Sequence, residues 1–454
     1  MSALLIAFGL LGHFRLAAET GIIHAATLAT FYALSANSRN LILNSSRQIS
    51  TQDILSNRLL LIIPLALVSM ILGVFVAGIN MMMALALILR RCIEWINEVH
   101  LSEMEVKGNS RFAIKFLILQ ILLFALVMTL SLFSKKLTLA GMYLWALTPL
   151  VMSARFAVQN FSISVKKFMG SFSAILPHFG STATIGIGIY LFRLLIFLFS
   201  GKLVAGTLFT VFAIGSFSGT MFANVFGPSI SMHEARTGRV YFPFMLKLIL
   251  AGMCLTGLMI YFATIFDARI FAFSTKPELF WKGLGLSLIG GTIMVLAQRI
   301  RLKLLKLDHG VHVFGPDLFA HALLIMAVVY IYFTRGVNGF PILYLINASL
   351  LYLFYFTTEK GCGYMSNSGK KWPMSDNVRY IIALFLFLPI FFQLSGHIYH
   401  VNFTQVDSGG KILTVPIPFS VIACYGGVLF LSNYRKAFSG LAFIFLFFGL
   451  MLTT

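Results

Sequence analysis

Acidic side chains are scarce in this chain. Asp and Glu together number 14 in 454 residues, and charged residues of both signs make up only 11%. Long polar stretches are missing with them, so no soluble nucleotide-binding domain fits, and no Walker phosphate loop, nucleophile elbow or metal-ligand spacing occurs. These absences argue against an ATP-driven pump built from this chain alone and against an enzyme. The four cysteines, Cys92, Cys254, Cys362 and Cys424, show no paired spacing, so neither a disulfide framework nor a metal site is suggested and no cofactor is called for. The first apolar run lacks a basic region before it and a small-residue cleavage pattern after it, which leaves insertion to the spans themselves. Strict polar and apolar alternation over about ten residues, the mark of a barrel strand, is absent too.

What is present is apolar. Hydrophobic residues fill 59% of the positions, in runs close to the ~20 residues that a helix needs to cross a bilayer. Lipid leaves helices as the remaining solution, so the chain reads as an all-α polytopic membrane protein. About fifteen segments start near Ser2, Gly21, Leu59, Asn80, Phe112, Leu137, Leu176, Leu203, Pro243, Trp281, Val313, Gly339, Val378, Ile412 and Ala437.

Lysine and arginine set the orientation. If loops alternate sides, one set gathers Arg39, Arg47, Arg58, Arg90, Arg91, Lys107, Arg111, Lys115, Arg155, Lys166, Lys167, Arg236, Arg239, Lys247, Arg299, Arg301, Lys303, Lys306, Lys360, Lys370, Lys371, Arg379, Arg435 and Lys436. The other gathers far fewer: Arg15, Lys135, Lys136, Lys202, Arg269, Lys276, Lys282, Arg335 and Lys411. The rich side is cytoplasmic, which puts the N-terminus there. The net charge of +20 is then a topological signal, and nucleic acid is not needed to explain it.

The chain also repeats itself. Phe14-Arg15-Leu16 and, later, Thr27-Leu28-Ala29-Thr30 with Ser38 find echoes in Phe192-Arg193-Leu194, Thr207-Leu208-Phe209-Thr210 and Ser218. Segments one to six would correspond to segments seven to twelve in a parallel repeat, related by an axis along the membrane normal. Prolines Pro64 and Pro243 mark the two third spans, and basic stretches Arg90-Arg91 and Arg299 to Lys306 end the two fourth spans. The expected domains are an N-terminal six-helix bundle over 1–155, a second bundle over 156–358, and two to three extra transmembrane helices over 359–454, about 14 to 15 spans in all. Only fourteen residues precede Arg15, so the first helix reads as clipped at its cytoplasmic end.

Arg193 is the residue to explain. A charge within a span costs about 2.5–3.5 kcal/mol on insertion scales, so it normally faces a bundle interior or a wet cavity. Either Arg193 snorkels or pairs with an acid of another helix, or it faces Arg15 across a central cavity and binds an anion there, with Arg39 as a third cation. Guanidinium forks suit phosphate oxygens. Asp317 and His321, four apart on one helix face, are candidates for ion coupling, although Asp317 follows Gly315-Pro316 and could equally start a helix. Gln120 and Asn347 read as interhelical hydrogen bonds, Asn224 with Gly227-Pro228 as a bend, and Arg90 to Glu98 as an amphipathic interfacial helix. His13, Glu19 and His24 have no evident role.

Two parallel six-helix halves, the lone arginine Arg193 in the seventh span, Arg39 near the end of the second, and basic cytoplasmic loops resemble the multidrug/oligosaccharidyl-lipid/polysaccharide exporter superfamily, over roughly 1–360. Within it the chain is similar to the polysaccharide (O-antigen type) flippases, with the lipid II flippases as cousins. The resemblance implies a bacterial inner-membrane flippase that carries undecaprenyl-diphosphate-linked oligosaccharide to the outer leaflet by alternating access, with Arg15, Arg39 and Arg193 on the diphosphate. It also implies membrane lipids as surroundings and polysaccharide polymerase and glycosyltransferases as partners. The tail from Val378 departs from that pattern and is weakly similar to the opening spans of a membrane polysaccharide polymerase. Two other readings stay open: a cation-coupled multidrug exporter, and a membrane polysaccharide polymerase or ligase. The shortage of intramembrane acids weighs against the first, and the short outer loop around Asp267 to Lys282 against the second.

Overall fold

The computed structural model describes residues 1–35, 42, 51–161, 165–227, 230, 233, 234, 237, 242–266, 276–307, 311–368, 400–406 and 412–418. Among these, seven helical stretches are long and apolar enough to cross a membrane. Through residue 368 the described residues form helices and the short turns between them, as in a multi-pass membrane protein, and the first compact unit is Met1–Glu359.

The first half starts with α1 (Ser2–Leu10), a tight turn, and α2 (Phe14–Thr27), which runs on through a π-helical turn, Leu28–Tyr32, to Ala33–Ser35. Then come α3 (Thr51–Met70, continued by π-helical Ile71–Val76), α4 (Met81–Val106), α5 (Ser110–Ser131), and the pair α6 (Lys135–Leu147) and α7 (Leu150–Asn160), which Pro149 separates. Asn80, Asn109 and Ser134 begin α4, α5 and α6 by accepting first-turn N–H groups on their side chains, the usual economy at a helix start.

The second half opens with α8 (Val165–Met221), which Gly201 divides into two limbs. Gly201 has φ 72, a conformation with a steric cost for any side chain. The chain doubles back there, because the rings of Phe192 and Phe212, on opposite sides of the turn, lie 5.9 Å apart. The second limb ends in π-helical Phe222–Phe226, and α9 (Phe244–Ile265), α10 (Glu278–Leu307), α11 (Val311–Arg335) and α12 (Leu343–Ser368) complete the bundle. In a second unit, Lys360–Thr454, strand β1 (His400–Val406) pairs antiparallel with β2 (Ile412–Pro418). Apart from this hairpin, the spans expected from Val378, Ile412 and Ala437 lie outside the described residues.

Each half is tied together by buried or half-buried cations. Arg90 of α4 donates to Glu94 (2.8 Å), to the Trp145 carbonyl (3.0 Å) and to Gln120 (2.5 Å), with its guanidinium 4.2 Å above the Trp145 ring. Arg58 of α3 donates to the Trp95 carbonyl and pairs with Glu98 at 3.0 Å. In the second half, Arg299 pairs with Glu234 at 2.9 Å and Lys303 with Glu359 at 3.1 Å. The stretch Arg90 to Glu98, expected as an amphipathic interfacial helix, is helical within α4, where Arg90 is 6% exposed. Conversely, α3, α5 and α9 turn Leu67, Phe75, Leu117, Leu122, Phe244 and Met259 outward, as expected where lipid is the solvent.

Two other expectations change. Pro64 lies inside α3, but Pro243 is the residue before α9 rather than part of it, where its missing N–H costs the helix nothing. Asp317 does not begin a helix, because α11 passes through Pro316 and starts at Val311.

The halves meet along α2 and α8, backbone against backbone. A Cβ on Gly206 would come 1.8 Å from the Phe14 carbonyl oxygen, and one on Gly186 would come 2.4 Å from that of Leu28. Thr182 adds a hydrogen bond to the Ala33 carbonyl at 2.7 Å. The π-helical turns lie at this contact: Tyr190 of α8 donates to the Leu72 carbonyl at 2.9 Å across the seam, and Thr30 meets Ser69 of α3 at 2.6 Å within the first half. A π turn shifts the backbone register locally, and these hydroxyls bond beside it.

Gly206→Val should therefore force α2 from α8, lowering stability by about 1–3 kcal/mol. Gly252, in α9, has nothing within 4 Å of a Cβ, so Gly252→Ala should be neutral or slightly stabilising. Thermal unfolding of both variants in detergent compares them; equal midpoints would contradict the seam described here.

Candidate functional site

Two polar sites lie inside the first unit. One is at the seam. Arg193 sits on the first limb of α8, about 12 Å of helix rise below the Gly201 turn, within the candidate membrane span Phe179–Met221. Its Nη1 donates to the Gly21 carbonyl of α2 at 2.7 Å, and its guanidinium lies 5.5 Å from the Phe209 ring centroid. Gly21 makes this approach possible, since a Cβ there would meet Phe209 at 2.5 Å and Leu5 at 3.1 Å. Among the described residues no carboxylate lies within ion-pair distance of Arg193, although its side chain is only partly buried. A guanidinium has five donors. One bond to a carbonyl and one aromatic face leave this cation largely uncommitted.

One turn along α2 from Gly21, His24 faces the same interior. Its Nε2 lies 3.1 Å from Ser2 Oγ, and its Nδ1 is buried without a partner. Arg193, Arg91 and Glu94 all lie near enough to act on its charge. Glu94 in turn is held by Arg90 at 2.8 Å and by Arg91 at 3.6 Å. The interior around Arg193 is thus bordered by His24 and by the α4 cluster, neither of which sequence reasoning singled out as a site. The periodicity gave no warning, because Arg90-Arg91 with acids at four-residue spacing describes an interfacial helix equally well.

The other predicted anion ligands are placed differently. Arg15 is in the first turn of α2 and exposed, about 9 Å of helix rise from the Gly21 carbonyl that Arg193 meets. Arg15 follows the Gly12 turn, whereas Arg193 precedes the Gly201 turn. By position in the fold the two are not equivalents, and the structure does not bring them together. The matching phrases mislead because glycines with positive φ, not the phrases, fix the register of the two hairpins. Arg39 lies outside the described residues.

The second site is within the second bundle and is almost dry. Asp317 is 0% exposed and its carboxylate accepts hydrogen bonds from the hydroxyls of Ser181 and Tyr355. Arg301 Nη2 donates to Ser181 Oγ at 3.1 Å and lies 3.8 Å from the Asp317 carboxylate. The guanidinium therefore reaches the acid mainly through Ser181. His321 lies 2.8 Å from the Asp317 backbone carbonyl through Nδ1; a carbonyl only accepts, so that nitrogen carries the proton. Gly188 makes room for the imidazole, since a Cβ there would come 2.4 Å from it. Asp317 and His321 share one face of α11, as their spacing predicts, and the imidazole meets the Asp317 main chain rather than its carboxylate. Its partners Arg301, Ser181 and Tyr355 come from three other segments, α10, α8 and α12, and nothing in their local sequence signals the convergence. Asn347, expected to make an interhelical bond, keeps its Oδ1 buried without one, and Asn224 belongs to the π-helical turn Phe222–Phe226.

No family model matches the sequence. No curated protein matches it either. A solved structure described as a multidrug resistance MATE family transporter of the MOP superfamily, in an inward-facing conformation, aligns with a TM-score of 0.53 at 14% identity, over 81% of this chain and 96% of that one. A eukaryotic MATE transporter aligns at 0.47 and 13% identity, over 79% and 93% respectively. At 14% identity the first likeness speaks for the fold alone, a membrane fold of two helical bundles.

Removing one partner from a buried ion pair costs about 3–5 kcal/mol, far more than replacing both. Arg301→Met should accordingly destabilise the protein by about that much, and Arg301→Met combined with Asp317→Leu should recover most of the loss. Additive losses in the double variant, measured by thermal or chemical unfolding, would show that the two side chains are not one unit.

Proposed function

We propose that this protein is a flippase that carries undecaprenyl-diphosphate-linked oligosaccharide from the inner to the outer leaflet of a bacterial cytoplasmic membrane, by alternating access of its two halves, for cell-surface polysaccharide biosynthesis. The observation that carries the reading is Arg193. It is a cation within a candidate membrane span, on the seam between the halves, held by a carbonyl and an aromatic ring rather than an acid. Such a group is expensive to keep unless something anionic visits it. A diphosphate fits: its oxygens accept several charge-assisted bonds, and planar guanidinium donors meet them in pairs. Arg39 and the basic loops would draw the headgroup in on the cytoplasmic side, where the N-terminus lies, and Arg15 would meet it at the opposite end. The sugars would travel in the wet interior and the isoprenoid in lipid. A membrane potential positive outside would assist outward movement of an anion. Membrane lipids surround the protein, and glycosyltransferases and a polysaccharide polymerase would act before and after it.

A cation-coupled multidrug exporter is the second reading, and a specific observation favours it. Asp317 is a fully buried carboxylate with His321 beside it, and intramembrane acids are the groups through which cations drive transport. The structural neighbour described as a multidrug resistance transporter fits this reading at least as well. The carboxylate's present partners weigh the other way, because Ser181, Tyr355 and Arg301 already satisfy it.

Thermal stabilisation of the purified protein separates the two, since a ligand that binds only the folded state must raise its stability, by about 2.7 kcal/mol at a hundred times its Kd. An undecaprenyl-diphosphate oligosaccharide should stabilise the wild type, fail to stabilise Arg193→Ala, and act partly on Arg193→Lys. Stabilisation by a hydrophobic cationic drug alone, unchanged in Arg193→Ala, would overturn the flippase reading in favour of the exporter.

A further inference from the structure

At the end of the molecule that carries the Gly12 and Gly201 turns, two lysines of the second half reach across the seam. Lys202, next to the Gly201 turn, lies 3.1 Å from Glu19 of α2 and 3.5 Å from the Gly78 carbonyl in the turn between α3 and α4. Lys276, just before α10, donates to the Gly9 and Leu10 carbonyls of α1 at 3.1 and 2.7 Å, and its Nζ is 5.2 Å from the Phe14 ring centroid. The last carbonyls of a helix lack intrahelical partners and carry its negative pole, so a cation there satisfies both. Gly12, with φ 84, makes the turn that ends α1 beside Lys276.

We infer that Lys202 and Lys276 form a latch that holds this end shut, and that it must release before the halves can part here. In the contacts just described both cations come from the second half and the acceptors from the first. Sliding within one half would leave these contacts intact, whereas separation of the halves breaks all of them together. The chemistry suits a reversible closure. Lys202 is 41% exposed at its side chain and Glu19 16%, and ion pairs with that much water near them are weak. The closure is therefore a modest bias rather than a lock. Beneath it the seam is tight: Thr210 is 0% exposed and sits where a Cβ on Gly9 would come 1.9 Å from its hydroxyl. The inference rests on the export reading for the use of the latch, but concerns the opening itself and not the cargo.

The test uses the full chain in membrane vesicles, with a reporter introduced by Thr210→Cys and a membrane-impermeant thiol reagent applied to either side. Labelling of the peptide containing position 210 is read by mass spectrometry, so the native cysteines do not interfere. Loosening the latch by Lys202→Met or Lys276→Met should raise the labelling rate from the latch side by roughly two- to fivefold, the effect of removing contacts of this class. Exchanging the charges, Lys202→Glu with Glu19→Lys, should bring it back toward the starting rate. Salt raised to about 1 M, which shortens screening to roughly 3 Å, should accelerate labelling in the chain bearing only the reporter, an arm that needs no latch substitution to fold. Rates unmoved by either methionine variant and by salt would overturn the latch. A latch effect without stabilisation by the lipid diphosphate would retain this inference and remove the flippase reading instead.

Discussion

Backbone contact between α2 and α8 is the constraint on which the remaining structure depends. In lipid, helices gain little by burying apolar side chains against each other, so association falls to close packing and interhelical hydrogen bonds. Gly186 and Gly206 give α8 that approach to α2, with the Leu28 and Phe14 carbonyls filling the space where their side chains would be. Thr182 adds a bond to Ala33 at 2.7 Å. Side chains of the second half fill the hollows that small residues leave in the first: Phe209 lies against Gly21, Thr210 against Gly9, and Tyr190 packs with Ala25 and Ala26. Polar contacts run along the seam as well, from Thr182 and Arg193 to Lys202 and Lys276 at its end. The same approach explains why Arg193 can reach a main-chain carbonyl at all, because Gly21 leaves α2 bare at that point.

The buried cations then divide by what holds them. Arg58, Arg90, Arg299 and Arg301 each have a carboxylate within 4 Å as well as further bonds. They are fixed charges that knit helices of one half together, and any of them would have to give up an ion pair to take a ligand. Arg193 gives up one hydrogen bond to a carbonyl. A charge in a low-dielectric interior interacts several times more strongly than in water, so the difference between a compensated and an uncompensated guanidinium outweighs differences of position. That contrast, more than the number of cations, singles out Arg193 among the described arginines.

Much of the fold was legible because membrane insertion writes itself in composition. Runs of apolar residues located the spans, and the scarcity of strict alternation removed barrels. The site was legible in part. Arg193 and the pair Asp317 and His321 stand out as polar groups within apolar runs, and the structure buries both acid and histidine on one face of α11. What misled was similarity of short phrases. Arg15 matches Arg193 by its neighbours, yet the turns at Gly12 and Gly201 place one after and the other before the bend, and a hairpin bend inverts depth along the membrane. What stayed hidden was convergence. Arg301 looked like one more basic residue on the cytoplasmic side, and Tyr355 and Ser181 like ordinary members of apolar helices, because a pairing across three helices has no period in any one of them.

The first limb of α8 joins the two themes. Its residues Thr182 and Gly186, four apart and so on one face, look at the first half through Ala33 and Leu28. Ser181 and Gly188, seven apart and on another face, look at Asp317 and His321. Adjacent positions on a helix point about 100° apart, so a single peptide separates a side chain bonded to the buried carboxylate from one bonded across the seam. Energetic coupling requires an element whose arrangement both sites bias. The first limb of α8 has one face on each: Ser181 bonds to the buried carboxylate and Thr182, the next residue, bonds across the seam to Ala33. A rotation of this limb that lengthens the Thr182 bond also moves Ser181 against Asp317, and loosening a hydrogen bond to a fully buried carboxylate is costly.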